Sequence, residues 1–157
     1  MLAIDPGSLQ SGWILLDNER VVASGVTLNP ELLRTLVLSD HAYQILVCEF
    51  MSPRGLPTSR EDMETIWWAG RFAQAAQPRE SWRVTRDDVK LHLCGRRSKV
   101  TDANVRQALI DRYGGIGGKA AAIGTKAAPG PLHGVSTHAW AALAVGLTWL
   151  DRPDLRR

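Results

Sequence analysis

The 157-residue sequence predicts an α/β fold, a five-stranded mixed sheet flanked by helices in which three antiparallel strands precede parallel ones. Two short connections join three apolar N-terminal stretches, which is typical of an antiparallel meander. A continuous apolar run, 44–50, then follows a helical segment, and a strand reached across a helix is most simply parallel to its neighbour. The length suits one domain, and we expect residues 1–157 to form it.

Each predicted strand is a short apolar run, and the strands cover residues 2–5, 12–17, 21–26, 44–50 and 82–85. Asn29-Pro30-Glu31 opens the first helix, because asparagine caps helices well and proline fits the first helical position. The later predicted helices cover 61–77, 86–93, 102–113 with Thr101 as cap, and 135–150 with Ser136 or Thr137 as cap. The glycine-rich segment 114–130 is predicted to be a mobile loop.

Composition and charge narrow the function classes. Hydrophobic residues make up 45% of the chain and charged residues 22%, which is typical of a globular domain. The net charge of +3 is a mild indication of a polyanionic partner. Cys48 and Cys94 have no zinc-site spacing and form no disulfide framework, so we expect reduced cysteines in a cytoplasmic protein. No apolar stretch approaches the roughly 18 residues of a membrane span, and the N-terminus is a strand rather than a signal peptide.

Two acids end strands that are predicted to lie side by side. Asp5 stands directly before a Pro-Gly turn, and Glu49 stands near the end of the run 44–50. Neighbouring strands are about 4.8 Å apart, so two partly buried carboxylates there need a shared proton or a cation. A hard divalent ion, Mg²⁺ or Mn²⁺, suits their oxygen atoms, and such a site suits phosphoryl transfer. The alternative is that the two acids end their strands separately, with Asp5 only opening a turn.

Three segments carry a resemblance to a known family: Asp5-Pro6-Gly7 after an apolar strand, Glu49 at the end of the fourth strand, and a late helix reading His138-Ala139-Trp140-Ala141-Ala142-Leu143-Ala144-Val145. Together they resemble the RuvC-type Holliday junction resolvases, in the shorter versions found in phages and prophages. Val89-Lys90 and Lys99, before the helix that starts near Asp102, extend the resemblance over nearly the whole chain. The resemblance implies the ribonuclease H-like fold.

The same resemblance implies a metal-dependent crossover junction endodeoxyribonuclease that acts in DNA recombination and repair. It implies two metal ions per site, with Asp5 and Glu49 as catalytic ligands, and a cut that leaves 5′-phosphate and 3′-hydroxyl ends. It also implies a homodimer that makes two symmetric nicks across a four-way DNA junction. A two-fold protein matches a two-fold substrate, so this symmetry is physically reasonable.

The sequence departs from the family pattern on the last helix, which usually supplies two ligands spaced i and i+3. The corresponding residues are His138 and Ala141. We expect His138 to be a catalytic metal ligand, because a helix N-terminus favours the neutral imidazole; as a plain surface histidine it would have no role. Ala141 has no ligand atom. Asp102, Glu64 or water would have to complete the shell, or else the change inactivates the site.

Basic residues are concentrated between positions 83 and 99 and predict contacts with DNA phosphates. They outnumber the two acids of the segment and are Arg83, Arg86, Lys90, Arg96, Arg97 and Lys99. From these we select Lys90, Arg96, Arg97 and Lys99 as DNA-binding residues. By resemblance, Lys90 and Lys99 lie near the cut phosphate, whereas Asp102 replaces a later lysine of the family.

The loop 51–60, directly after Glu49, occupies the place where resolvases insert an apolar side chain into the junction. We expect Arg54 to bind DNA backbone there, and an apolar residue to act as the wedge: Phe50, Met51 or Leu56. Trp67 and Trp68, on the following helix, are predicted to belong to the core or to a dimer interface rather than to a base-stacking surface.

Two other functions fit parts of the sequence. A protein of the same fold that binds branched DNA but has a weakened catalytic site would account for the departures at His138 and Ala141. The turn Asp5-Pro6-Gly7-Ser8 also resembles the phosphate-binding hairpin of actin-like and sugar-kinase-like ATPases, but 157 residues leave no room for the second half of those folds. We therefore predict the nuclease, with the DNA-binding protein as the alternative.

Overall fold

The computed structural model describes residues 1–39, 43–52 and 57–156, and its sheet contains the five predicted strands. The strands are β1 (Leu2–Asp5), β2 (Gln10–Asp17), β3 (Arg20–Leu28), β4 (Ile45–Phe50) and β5 (Glu80–Thr85). Their order is β3-β2-β1-β4-β5. The pairs β1–β2 and β2–β3 are antiparallel, whereas β1–β4 and β4–β5 are parallel. The predicted mixed sheet is therefore confirmed.

Helices pack on both faces of the sheet. They are α1 (Asn29–Leu38), α2 (Arg60–Ala76), α3 (Arg86–Cys94), α4 (Asp102–Gly114), α5 (Gly118–Ile123) and α6 (Ala139–Asp151), with 3₁₀ turns at Gly115–Gly117 and Pro153–Leu155. In the three described ranges, no helix has the length and apolar character needed to cross a membrane. Both cysteines are free thiols, and Cys48 is buried beneath the helices.

The side chains of β1 and β4 alternate between two hydrophobic cores. Ala3 and Val47 belong to the core built around the apolar helix α6, together with residues of α3 and α4. Ile4 belongs to the second core, on the opposite face, which α1 and α2 cover. Because successive strand residues point to opposite faces, Asp5 and Glu49 point toward the face that carries α3, α4 and α6.

Capping boxes determine where three of the helices begin. The caps are Ser59 for α2, Thr85 for α3 and, as predicted, Thr101 for α4. In each box the cap hydroxyl accepts a hydrogen bond from the backbone N–H three residues later, and the side chain of that later residue accepts one from the N–H of the cap. The helices α3 and α4 therefore start at defined residues, Arg86 and Asp102.

Asn29 does not cap α1, contrary to the prediction. Leu28 is the N-cap and makes no side-chain cap hydrogen bond, while Asn29 is the first helical residue. The buried amide of Asn29 accepts a hydrogen bond from Ser11 Oγ at 2.7 Å and donates one to the Gly7 carbonyl at 2.8 Å. A buried amide needs such partners, so tertiary contacts override the capping preference. These bonds hold the β1–β2 turn, which follows Asp5 directly.

The segment predicted to be a mobile loop, 114–130, contains a 3₁₀ turn and α5 instead. Ala122 is buried in the α6-side core, and its carbonyl accepts a hydrogen bond from the Leu132 N–H at 2.8 Å. Gly124 and Pro129 form an isolated antiparallel bridge. The loop prediction was wrong because the alanines among the glycines are small enough to pack a short helix against the core.

The last helix, α6, begins at Ala139 rather than at 135. Thr137 has a φ of 38°, in the left-handed region, so it interrupts the helical backbone, and neither it nor Ser136 is the cap. His138 is the N-cap residue, and its side chain makes no cap hydrogen bond. The prediction that His138 lies within the first helical turn is therefore wrong by one position.

Candidate active site

Asp5 and Glu49 lie side by side at one end of their strands. The parallel register pairs Ile4 of β1 with Cys48 of β4, so the residues that follow are neighbours on the same face. The two carboxyl groups are hydrogen-bonded to each other, and their side chains are only 19% and 15% exposed. The structure thus brings together the two acids that the sequence singled out.

Burial raises the pKa of both carboxyl groups, because the ionised form of each has lost much of its water. The pKa of Asp5 is raised to about 6 and that of Glu49 to about 8. The charge of Asp5 raises the pKa of Glu49 further, whereas the Arg86 guanidinium acts in the opposite direction on both acids. At neutral pH the pair therefore retains a proton, which a bound cation would displace.

Arg86 is the third charged group of the site. It is the first residue of α3, its Nη1 lies 3.4 Å from Glu49 Oε2, and its Nη2 donates to Asp102 Oδ1. The side chain is only 17% exposed, and its two acidic partners raise its pKa against the effect of burial. From the sequence we assigned Arg86 only to the basic segment 83–99 and not to the acid pair. Its position directly after β5, parallel to β4, is the signal that could have placed it beside Glu49.

His138 lies on the other side of Asp5. Its Nδ1 is 3.7 Å from Asp5 Oδ2, and its side chain is 59% exposed. Gly12 of β2 makes this approach possible, because a Cβ atom at that position would lie 2.3 Å from the His138 carbonyl oxygen. A side chain there would force the start of α6 away from the sheet. Ala141, in the first turn of α6, lines the same cavity as Asp5 and His138 and offers no ligand atom.

A cavity of about 250 Å³ opens in front of the carboxylates. Arg106 of α4 and Trp140 of α6 line it, and the Arg106 guanidinium carbon lies 4.6 Å from the centre of a Trp140 ring. Trp140 is buried, and its indole N–H has no hydrogen-bond partner. Neither residue was predicted, since nothing in the sequence indicates that α4 and α6 meet beside Asp5.

The two further acids considered as ligands lie in different places. Asp102 is the first residue of α4, lines the cavity and reaches Glu49 through Arg86. Glu64 lies on α2, across the sheet, and accepts a hydrogen bond from Arg60 Nε at 3.0 Å. Because α2 packs on the opposite face from the carboxylate pair, Glu64 is not a ligand, and this alternative is wrong.

The predicted DNA-binding residues follow Arg86 along the chain. Lys90 lies one turn further on α3, and residues four apart share a helix face. Arg96, Arg97 and Lys99 are exposed in the connection from α3 to α4. Lys99 is three positions before Asp102, so its backbone lies within about 11 Å of the cavity rim. These positions fit phosphate contacts flanking the cavity.

The loop after β4 is described only in part. Phe50 and Met51 are half-buried beside the site, and the Arg83 guanidinium carbon lies 5.0 Å from the centre of the Phe50 ring. The predicted contact residue Arg54 and the wedge candidate Leu56 lie outside the described residues. Both therefore stay predictions.

The side chains around Asp5 and Glu49 can be compared with the ligands that Mg²⁺ or Mn²⁺ takes in proteins. Adjacent carboxylates that retain a proton are suited to a hard divalent ion, and Mg²⁺ often uses only one or two protein carboxylates and keeps several waters. Among the residues that the structure describes, no group of three His, Cys, Asp or Glu side chains is arranged for one ion. Asp5 and Glu49 thus fit a partly hydrated Mg²⁺ or Mn²⁺, rather than an ion enclosed by protein ligands.

No protein-family model matches the sequence, and no curated protein sequence matches it either. Two solved structures share its fold. RuvC of Thermus thermophilus in complex with a Holliday junction substrate has 18% sequence identity and a TM-score of 0.62, over 98% of this chain and 95% of that one. A second structure of Thermus thermophilus RuvC has 18% identity and a TM-score of 0.58, over 99% of this chain and 97% of that one. The chain therefore has the RuvC fold, a ribonuclease H-like fold, as predicted.

Proposed function

We propose that this protein is a metal-dependent endodeoxyribonuclease that resolves Holliday junctions and related branched DNA by paired symmetric nicks. The observation that carries the proposal is the adjacent, largely buried pair Asp5–Glu49, which faces an open cavity. The junction substrate bound to the RuvC structure of the same fold supports the choice of DNA. The basic residues that follow Arg86 supply the positive charge that such a substrate requires.

Asp5 and Glu49 would hold the divalent cation, and the exposed side chain of His138 would have to turn toward the ion to become a third donor. A bound Mg²⁺ or Mn²⁺ supplies Lewis-acid stabilisation of the phosphate and lowers the pKa of coordinated water. The protein residues exclude bulk water from the carboxylates and give up the proton that the pair shares. Lys90 and Lys99 hold the DNA backbone beside the cavity. We also propose a second ion per site, which would have fewer protein ligands among the described residues than the first ion has.

The second candidate function is a branched-DNA-binding protein with weakened cleavage. The observation that favours it is the absence of a carboxylate at Ala141, together with the absence of a three-donor group among the described residues. Replacing Ala141 with Asp separates the two candidates. A large gain in cleavage would support the nuclease, whereas tight junction binding that stays without cutting would support the binding protein.

The deciding experiment uses the purified full chain and a four-way junction labelled on each strand in turn. We expect nicks at symmetric positions in opposing strands with Mg²⁺ or Mn²⁺, and no cutting in EDTA. A linear duplex of the same sequence is the control for junction selectivity. Absence of paired nicks with either metal would reject the nuclease.

An apolar stripe on α2 supports the proposed homodimer. Met63, Ile66 and Trp67 are 57%, 42% and 57% exposed, and Gly70 continues the stripe with open space around it. These residues are spaced i, i+3, i+4 and i+7, so they form one face of the helix. Exposed apolar side chains in such a row are typical of an interface, and a second copy of the same helix offers a matching face.

The two tryptophans of α2 differ in burial, and the predicted core role applies to Trp68. Trp68 packs against the second core, with its ring centre 5.7 Å from that of Phe72, while Trp67 faces outward. Arg71 lies over both rings, with its guanidinium carbon 4.6 Å and 4.7 Å from their centres. A guanidinium held in this way covers apolar surface without preventing a partner from packing there.

Ile66→Glu should convert the protein to a monomer, because a charge in the centre of an apolar interface would have to be buried. Sedimentation equilibrium measures the change in mass. Junction cleavage should then consist of single, uncoordinated nicks. Val22→Glu is the matched control, since Val22 is 49% exposed on β3, at the far edge of the sheet. A wild-type protein that sediments as a monomer would contradict the dimer proposal without bearing on the active site.

A further inference from the structure

Arg86 occupies the position of a resident cation in the carboxylate site. Its guanidinium contacts Glu49 at 3.4 Å and donates to Asp102, so one cation joins an acid at the end of β4 to an acid at the start of α4. The planar, permanently charged guanidinium has five N–H donors in a fixed fork, which suits a bridge of this kind. A lysine could not make both contacts with the same geometry.

The two acidic partners of Arg86 differ in their surroundings, because Glu49 is largely buried whereas Asp102 is exposed. The contact with Glu49 is at the long end of the hydrogen-bond range. The Asp102 side chain is 83% exposed, so it is not buried with Arg86 and can follow it. The Thr85 and Thr101 caps hold the backbones at the starts of α3 and α4. The arrangement therefore allows Arg86 to leave Glu49 without leaving Asp102.

We propose that Arg86 stays in contact with Glu49 when no divalent ion is bound and moves to the DNA phosphate when one is. The inference rests on the proposed function. Binding of the ion by Asp5 and Glu49 brings a second cation to the carboxylate that Arg86 contacts, and two cations repel in a half-buried pocket. Arg86 stays on Asp102, its positioning residue, and presents its free donors to the phosphate. Arg86 is then a catalytic residue.

Removal of Arg86 has opposite effects on metal binding and on cleavage. Arg86→Gln should bind Mn²⁺ about tenfold more tightly than the wild type, because the competing cation is gone. At saturating Mn²⁺ and junction, its cleavage rate should fall at least about tenfold, since the phosphate loses a charged partner. Arg86→Lys keeps the charge without the fork, so it should retain near-normal metal affinity and cut more slowly than the wild type.

The first measurement is calorimetric titration of the DNA-free, full-length protein with Mn²⁺. Arg20→Gln is the control for loss of a positive charge, because Arg20 is 73% exposed and lies at the opposite end of the sheet. An Arg86→Gln protein whose Mn²⁺ affinity equals that of the wild type would overturn the proposal, and so would one that binds more weakly. Thermal unfolding of each variant verifies that the fold is intact.

A double-mutant cycle separates the proposed exchange from a general effect of charge. Asp102→Asn should weaken Mn²⁺ binding, because Arg86 then pairs only with Glu49. If Asp102 acts through Arg86, this effect should shrink severalfold in an Arg86→Gln background, whereas independent charges would give additive changes. A wild type that binds Mn²⁺ but cuts no junction would reject the proposed nuclease, while the affinity comparison would still test the exchange.

Discussion

Asp5→Asn should slow junction cleavage about 10³-fold and leave junction binding nearly unchanged. Asparagine keeps the size of the side chain but removes the charge that would hold the cation. A bound cation would contribute several kcal/mol to transition-state stabilisation, and a loss of about 4 kcal/mol corresponds to about 10³-fold in rate. Glu49 already belongs to the pair, Asp102 is engaged by Arg86 and position 141 is an alanine, so the lost carboxylate of Asp5 is not replaced by these residues of the cavity.

Single-turnover cleavage of a labelled junction measures the rate, and a gel-shift titration in Ca²⁺ measures binding. Asp17→Asn is the matched control, because Asp17 is 62% exposed and lies at the other end of the sheet. We expect it to cut as the wild type does. An Asp5→Asn protein that still cuts at the wild-type rate would show that the pair Asp5–Glu49 is not the catalytic centre.

The fold and the acid pair were predictable because they depend on local patterns. Strand alternation and short turns specify the meander, and one helix between apolar strands specifies the parallel crossover. Once β1 and β4 are neighbours, their register alone brings Asp5 next to Glu49. Each of these steps uses the sequence within one or two elements.

The rest of the site depends on contacts between distant elements, which local patterns do not encode. Arg86 contacts Glu49, which lies 37 positions earlier in the chain. Asn29, which was expected to cap α1, instead accepts a hydrogen bond from Ser11, 18 positions earlier. The start of α6 is determined by the left-handed backbone of Thr137 and by the packing of His138 against Gly12. A helix periodicity gives the apolar face of α6 but not the residue at which the backbone first becomes helical.

The raised pKa of Glu49 makes the metal-free protein less stable as pH rises. In the folded state Glu49 keeps its proton up to about pH 8, whereas in the unfolded chain it loses the proton at its ordinary pKa of about 4.3. Between these values the folded state binds more protons than the unfolded state, so the free energy of unfolding falls with increasing pH. Asp5, with its pKa raised to about 6, adds to the fall in the lower part of this window.

Glu49→Gln should therefore stabilise the metal-free protein, and the gain should depend on pH. Near pH 4 both proteins are neutral at this position and should unfold at similar temperatures. At pH 8.5 the variant should be more stable by on the order of 2–4 kcal/mol, since one pKa unit corresponds to about 1.4 kcal/mol. A gain of this size would raise the midpoint of thermal unfolding by about 5–10 °C in a chain of this length.

Thermal unfolding from pH 4 to pH 9, with and without Mg²⁺, measures both the pH dependence and metal binding. Mg²⁺ should stabilise the wild type increasingly as pH rises, because the ion displaces the shared proton, and should have little effect on Glu49→Gln. Glu31→Gln, an exposed acid in the first turn of α1, is the control and should show neither effect. If the wild type and Glu49→Gln differ by the same amount at every pH, then Glu49 does not hold its proton in the folded state. Stability and the proposed function are opposed at this residue: the carboxylate that weakens the metal-free fold at neutral pH is the one proposed to hold the cation.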